Sequence, residues 1–162
     1  MSTKVLLVTP PFTQLNTPYP ASMYLKGFLQ SKDVPVSQCD LSIELFRSIF
    51  TNSFIRNIFQ EADKLKSYEH QLVWNQRDEY IDKVDHVINY LQNQEVTLAY
   101  QIINDSFLPK AHRFEKLEED LNWAFGNLGV LDKAKHFATL FIEELGDFIT
   151  ANVDEFFSFT RY

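Results

Sequence analysis

Cysteine and glycine are scarce in this chain of 162 residues, which has one cysteine and four glycines. The single thiol, Cys39, excludes an internal disulfide framework, a three-cysteine iron–sulfur site and a cysteine-based zinc finger within these residues. Neither GxGxxG nor GxxxxGK[ST] occurs, so a glycine-rich phosphate-binding loop is excluded as well. The low glycine content also favours helices over sheets.

Basic residues and long apolar runs are few. Fifteen Lys and Arg against 22 Asp and Glu give a net charge of -7, which argues against general nucleic-acid binding because phosphates are neutralised by basic side chains. No apolar run approaches the roughly 20 residues of a membrane span, and the apolar stretch at the N-terminus is too short for a signal peptide. We therefore expect a cytoplasmic protein that binds neither nucleic acid nor a membrane.

Proline, aromatic residues and charge all change character near Asp40. Five of the six prolines lie in the first forty residues, whereas thirteen of the fifteen Phe and both Trp come later. The first forty residues carry a net charge of +1 and the remainder carries -8. These shifts predict two parts, a β-loop-α-β portion over residues 1–41 and a helical region over residues 42–162.

The first part has the pattern of a strand, a loop, a helix and a second strand. Residues 4–9 form a short apolar run with β-branched side chains, which is typical of a buried parallel strand. The prolines of residues 10–20 break regular structure, and a helix can begin after Pro20. Residues 34–39 then predict a second strand, parallel to the first and joined to it by a right-handed crossover.

The second part has the pattern of consecutive helices, because apolar side chains recur at the helical spacing of 3.6 residues. Gly126 and Gly146 stand where helix C-terminal caps are expected. The predicted fold class is therefore α+β and dominated by helices, with a short parallel β-loop-α-β unit followed by a bundle-like helical region. The clearest apolar stripe consists of Tyr80, Ile81, Val84, Val87, Ile88 and Leu91.

Two carboxylate–imidazole pairs have the spacing i, i+4 and can each share a helix face. They are Asp82 with His86 and Asp132 with His136. Two facing helices with such pairs could bind a metal, but the Glu-x-x-His motif of ferritin-like sites is absent. We interpret both as solvated surface pairs and predict no metal site and no catalytic residue.

The unusual segment is the proline-stiffened loop of residues 10–20. It follows a buried strand, so it lies at the carboxyl end of that strand, where open α/β sheets bind ligands. A rigid connection that only packs is an equally good interpretation. The candidate ligand or domain-interface residues are Pro10, Pro11, Thr13, Gln14, Asn16, Thr17, Tyr19 and Pro20.

At this loop, residues 4–30 (KVLLVTPPFTQLNTPYPASMYLKGFLQ) resemble the opening of radical SAM proteins that carry a cobalamin-binding-type N-terminal domain. Thr9 stands where that family commonly has Asn. The resemblance covers about the first forty residues, a quarter of the chain. It implies that residues 1–41 are the β-loop-α-β portion of a cobalamin-binding-like α/β domain and that residues 42–162 are a helical insertion or extension. The matching features are Pro10-Pro11, Tyr19-Pro20, Tyr24-Leu25 and Asp40.

The resemblance implies an Fe–S oxidoreductase-like parent enzyme that uses S-adenosylmethionine and a [4Fe–4S] cluster, with cobalamin as a further candidate cofactor. This chain has neither CxxxCxxC nor DxHxxG, so we expect it to hold no cofactor itself. It is expected to be a non-catalytic N-terminal fragment of a longer enzyme. Its expected partners are the downstream radical SAM domain of the same polypeptide and a second copy of the fragment. The alternative is a stand-alone helical protein-interaction module without a cofactor.

Overall fold

The computed structural model describes residues 4–11, 20–64, 69–93, 95–104, 106–115 and 129–159. Within these ranges the chain forms two strands and eight helices. They divide into two compact units, Met1–Ile49 with Ser158–Tyr162, and Phe50–Phe157. The architecture is helix-dominated α+β, as the sequence predicted.

Unit 1 contains the two strands, β1 (Val5–Thr9) and β2 (Val36–Asp40), joined by helix α1 (Pro20–Gln30). The strands are parallel, with Val5 opposite Val36 and Thr9 opposite Asp40, which confirms the predicted pairing. Helix α1 begins at Pro20 itself, because proline fits the first helical turn, where its missing N–H is not needed. The second strand begins and ends slightly later than predicted.

Helix α2 (Leu41–Ile49) follows β2 directly and belongs to unit 1. Asp40 Oδ1 accepts hydrogen bonds from the backbone N–H groups of Ser42, at 3.0 Å, and Ile43, at 3.1 Å. A carboxylate in this position caps a helix N-terminus, so the chain passes from strand to helix without a loop. The compact units therefore divide after Ile49, whereas the sequence prediction drew its boundary at residue 41.

Unit 2 is made of helices whose apolar stripes form its core. The apolar stripe predicted in α5 (Arg77–Asn93) is confirmed at Tyr80, Ile81, Val84 and Val87, which are buried, whereas Ile88 and Leu91 are half-buried. The longest described helix, α8 (Val130–Asn152), packs against four others and buries about half of its residues. The helices are α3 (Asn52–Ala62), α4 (Gln71–Asn75), α5 (Arg77–Asn93), α6 (Val96–Ile102), α7 (His112–Glu115) and α8 (Val130–Asn152).

Gly146 does not end a helix, which corrects the predicted C-terminal cap. Helix α8 continues through Gly146 to Asn152, and no glycine among the described residues has a positive φ. Leu145, Phe148 and Ile149 on either side of Gly146 are buried, so core packing keeps the segment helical despite the conformational freedom of glycine. Gly126 lies outside the described residues.

Candidate functional site

The carboxyl ends of β1 and β2 lie side by side at one edge of the sheet. The register pairs Thr9 with Asp40, the last residues of the two strands, and Ser42 follows in the first turn of α2. This is the edge at which the sequence placed the candidate ligand loop.

The structure describes three of the predicted loop residues. Pro10 and Pro11 follow β1 and are exposed, and Pro20 is the exposed first residue of α1. The five polar candidates lie outside the described residues, so the assignment of a ligand loop stays a prediction. These residues are Thr13, Gln14, Asn16, Thr17 and Tyr19.

Two buried hydroxyl groups at this edge were not singled out from the sequence. Thr9 is 3 % exposed and Ser42 is 0 % exposed. Among the described residues, neither Thr9 Oγ1 nor Ser42 Oγ has a hydrogen-bond partner. Buried hydroxyl groups in proteins are nearly always hydrogen-bonded. Both hydroxyl groups are sealed from solvent, so within the described part of the chain they are unsatisfied polar groups beneath this edge rather than part of an open binding site. In the sequence, only the position of Thr9 at the end of a predicted strand pointed to one of them.

The electrostatics of the edge favour a neutral ligand group over a phosphate. The N-terminus of α2 would attract an anion, but the Asp40 carboxylate already accepts its N–H groups and supplies a negative charge there. Pro10 and Pro11 have no N–H to offer. The described backbone groups of Pro10, Pro11, Ser42 and Ile43 therefore offer no donors to a phosphate.

Helix α1 presents an apolar face outward. It lies on the face of the sheet that carries Gln38, because Gln38 Nε2 donates a 2.8 Å hydrogen bond to Ser22 Oγ. No residue of α1 is buried, and Tyr24 is 80 % exposed. Met23, Tyr24 and Phe28 line an open depression of about 520 Å³ together with Pro20 and Gly27. The apolar side of α1 is therefore not the side that covers the sheet.

The face of the sheet opposite α1 exposes two apolar side chains. Side chains alternate along a strand, so Leu6 and Val8 point away from the face that carries Gln38. They are 61 % and 45 % exposed. Parallel sheets are normally covered on both faces. We call Leu6, Val8, Met23, Tyr24 and Phe28 the outer apolar surface of unit 1.

The most polar interior cluster lies in unit 2, around Glu144 of α8. Glu144 Oε1 accepts 3.0 Å hydrogen bonds from the backbone N–H groups of Ala111 and Arg113. The Tyr80 hydroxyl donates to Glu144 Oε2. Burial raises the pKa of Glu144, although these hydrogen bonds act in the opposite direction. Burial and the neighbouring Glu144 carboxylate both raise the pKa of Tyr80.

Arg113 connects α7 to α8 beside that cluster. Its Nε and Nη2 donate to the two carboxylate oxygens of Asp147, at 2.6 and 2.9 Å, and its Nη1 donates to Glu143 at 2.7 Å. The hydrogen-bonded Asp147 carboxylate is the main reason that the pKa of Arg113 is raised. The hydrogen bonds of Glu144 and Arg113 join α8 to α5 and α7. We therefore interpret this cluster as structural. Its sequence signal was the carboxylates of residues 143, 144 and 147 within an apolar stripe.

The two i, i+4 pairs do not converge. Asp82 binds Lys83 at 2.7 Å, and the His86 ring lies edge-on to Phe107, with ring centres 6.3 Å apart. Burial lowers the pKa of His136 on α8. Within the part of the chain that the structure describes, no group of three or more His, Cys, Asp or Glu is placed to hold a metal ion.

Among the described helices, none combines the length and the apolar character needed to cross a membrane.

Comparisons with known proteins found no protein-family model, no curated protein and no solved structure that matches this chain.

Proposed function

We propose that this chain is a non-catalytic N-terminal portion of a radical SAM, Fe–S oxidoreductase-like enzyme. In this proposal residues 4–49 are the opening β-α-β unit of a larger α/β domain on the cobalamin or substrate side of that enzyme. The observation that carries the proposal is the outer apolar surface of unit 1, which the described residues leave exposed on one face of the parallel sheet and on the outward side of α1.

The sheet itself supports the idea that further strands complete it. Helix α1 packs on one face of this pair of strands, but parallel sheets normally have both faces covered. Among the described residues β1 pairs only with β2, so its other side has room for another parallel strand. A strand there, followed by a crossover helix on the face opposite α1, would cover Leu6 and Val8.

In such a domain β1 becomes an interior strand and its carboxyl end borders the ligand crevice. Residues 10–20 would then line the crevice or the contact with the radical SAM domain. The [4Fe–4S] cluster, S-adenosylmethionine and any cobalamin belong to the remaining part of the polypeptide, which we place in the cytoplasm.

The test is to follow the reading frame beyond Tyr162 and to express the whole polypeptide. We expect a CxxxCxxC motif downstream, and slower hydrogen exchange at the amides of Leu6, Leu7 and Val8 in the whole polypeptide than in the 162-residue chain. The amides of α5, which is buried within unit 2, are the control and should exchange equally in both. A frame without that motif, or equal exchange at β1, would overturn the proposal.

The alternative, a stand-alone helical protein-interaction module, is supported by unit 2. Its helices bury their own apolar stripes, including Phe59, Tyr80, Phe141 and Phe148. In that case the frame ends without a cofactor motif, and the outer apolar surface of unit 1 is where the partner protein binds.

A further inference from the structure

Two histidines from separate elements of unit 2 lie in contact. The ring centres of His70 and His112 are 6.0 Å apart, and the ring planes meet at 67°. His70 precedes α4, and His112 is the first residue of α7. His70 is half-buried and the side chain of His112 is 53 % exposed, so an ion from solvent can reach both rings.

The backbone around His70 is held in an uncommon conformation. His70 has φ 57° and ψ 50°, in the left-handed region that few residues other than glycine adopt. The Glu69 N–H donates a 2.9 Å hydrogen bond to Asn152 Oδ1, and Asn152 Nδ2 donates a 3.1 Å bond to the Glu69 carbonyl. Such a conformation persists where its surroundings hold it in place. The segment before α4 is thus fixed to the end of α8.

The backbone at His112 is anchored to the same helix. The N–H of the adjacent Arg113 binds Glu144, and the Arg113 side chain binds Asp147 and Glu143, all on α8. The two imidazoles are therefore presented from two backbone positions that are each hydrogen-bonded to α8. A ligand that binds both rings would find their backbones already ordered, which reduces the entropic cost of binding.

The ring separation fits coordination of one metal ion by both rings. With a metal–nitrogen distance of about 2.1 Å, two imidazole ring centres bound to one ion lie roughly 4.5–6.4 Å apart as the angle at the metal opens. The plane of a histidine ring rotates easily about χ2, which lets each ring turn a nitrogen toward the ion. The observed 6.0 Å corresponds to an angle of roughly 140° at the metal, so the rings would approach by about 0.8 Å to reach the tetrahedral angle that Zn²⁺ prefers.

Glu115 completes the arrangement around His112. Its Oε2 lies 3.4 Å from His112 Nδ1, and a carboxylate at one ring nitrogen orients the other nitrogen, Nε2, for a metal. The nearby carboxylates of Glu69 and Glu115 are exposed and favour a cation, while the Arg113 guanidinium is bound to Asp147 and Glu143.

We propose that His70 and His112 form a two-imidazole site for a divalent transition metal such as Zn²⁺, with water as the remaining ligands and Glu115 as a positioning residue. Imidazole nitrogen is a ligand that Zn²⁺, Cu²⁺ and Ni²⁺ all accept. A bound ion would tie the segment before α4 to α7. The site is independent of the function proposed for unit 1.

The test titrates the 162-residue chain with Zn²⁺ alone by isothermal titration calorimetry, with thermal unfolding as a second measurement. We expect one equivalent of Zn²⁺ at this site and a higher melting temperature in its presence. H70N keeps a residue that tolerates the left-handed conformation. H70N and H112A should each weaken binding at least tenfold and remove the thermal shift, and E115Q should weaken binding about tenfold.

The matched control is H86A, which removes an exposed histidine outside the pair and should leave both measurements unchanged. The proposal is overturned if H70N and H112A bind Zn²⁺ as the unaltered chain does, or if no binding occurs at millimolar Zn²⁺. A loss in H86A equal to that in H70N would also overturn it, because binding would then be non-specific.

Discussion

The Glu144 carboxylate lies inside an apolar core, where hydrogen-bond donors favour its ionised form. Three donors surround its carboxylate, namely the N–H groups of Ala111 and Arg113 and the Tyr80 hydroxyl. Burial nevertheless prevails and raises the pKa of Glu144 above its ordinary value. Since the folded pKa is above the unfolded one, the native state binds the proton more tightly. The stabilisation from this proton linkage is fully present below the unfolded pKa and is lost as the pH rises through the folded pKa.

The substitution E144Q should reduce this pH dependence. The Gln side chain can accept from both backbone N–H groups and donate to the Tyr80 oxygen, and it carries no charge. We expect the variant to lose less free energy of unfolding than the parent chain as the pH rises from about 4.5, as measured by urea unfolding at a series of pH values. The control is E61Q, which removes an exposed carboxylate on α3 and should keep the pH dependence of the parent chain. The prediction is contradicted if the free energy of unfolding of E144Q falls with pH as steeply as that of E61Q.

The substitution E144A should instead destabilise unit 2 strongly. It leaves the buried Tyr80 hydroxyl and the two N–H groups of Ala111 and Arg113 without their acceptor, and it opens space beside α8. We expect a loss of about 3 kcal/mol in the free energy of unfolding. Urea unfolding at neutral pH measures it. A loss within about 0.5 kcal/mol, typical of a surface substitution, would show that these hydrogen bonds contribute little.

At the level of elements, the spacing of apolar residues predicted those helices and strands whose burial pattern is set by their own residues. The α5 stripe and the parallel strands were predictable because spacing of 3.6 or a short β-branched run reflects burial of a single element. The helix end predicted at Gly146 was wrong because core packing of Phe148 and Ile149 outweighs a local preference. Within the candidate site, the edge was predictable, but the burial of Thr9 and Ser42 depends on packing in three dimensions, which the spacing of residues does not encode.

The outer apolar face of α1 should cause self-association of the 162-residue chain. The triple variant M23Q/Y24Q/F28Q replaces exposed side chains, so α1 should remain helical while association decreases. Light scattering at high concentration measures the association, and circular dichroism checks the fold. The matched control is V96Q/Y100Q, which alters exposed apolar residues of unit 2. A parent chain that is monomeric at high concentration contradicts the prediction, as does a triple variant that associates equally.

In the enzyme proposed above, the segment from Pro10 to Pro20, which the sequence predicts to be a loop, should matter for turnover. Its four prolines restrict the backbone, so it loses little entropy on meeting a ligand or a neighbouring domain. We expect N16A and Y19F together to lower turnover while the melting temperature changes by only a few degrees. Unchanged turnover, or unfolding of the domain, would instead identify the loop as a structural connection.

At the scale of the whole molecule, the two units should differ in stability. Unit 2 buries a continuous set of aromatic and aliphatic side chains, whereas α1 in unit 1 buries no residue. Local stability follows buried apolar contacts. We expect hydrogen-exchange mass spectrometry of the 162-residue chain to show faster exchange in peptides from residues 4–49 than in peptides from α5 and α8. Equal protection of both sets would contradict this difference.

The position of α8 in the chain has a consequence for synthesis. Helix α8 contacts α4, α5, α6 and α7, yet it is the last helix of its unit in sequence. The earlier helices therefore leave the ribosome before the element that buries their apolar stripes exists. A nascent chain cannot complete this core until Asn152 has emerged, so translation through residues 50–152 exposes apolar surface that chaperones recognise.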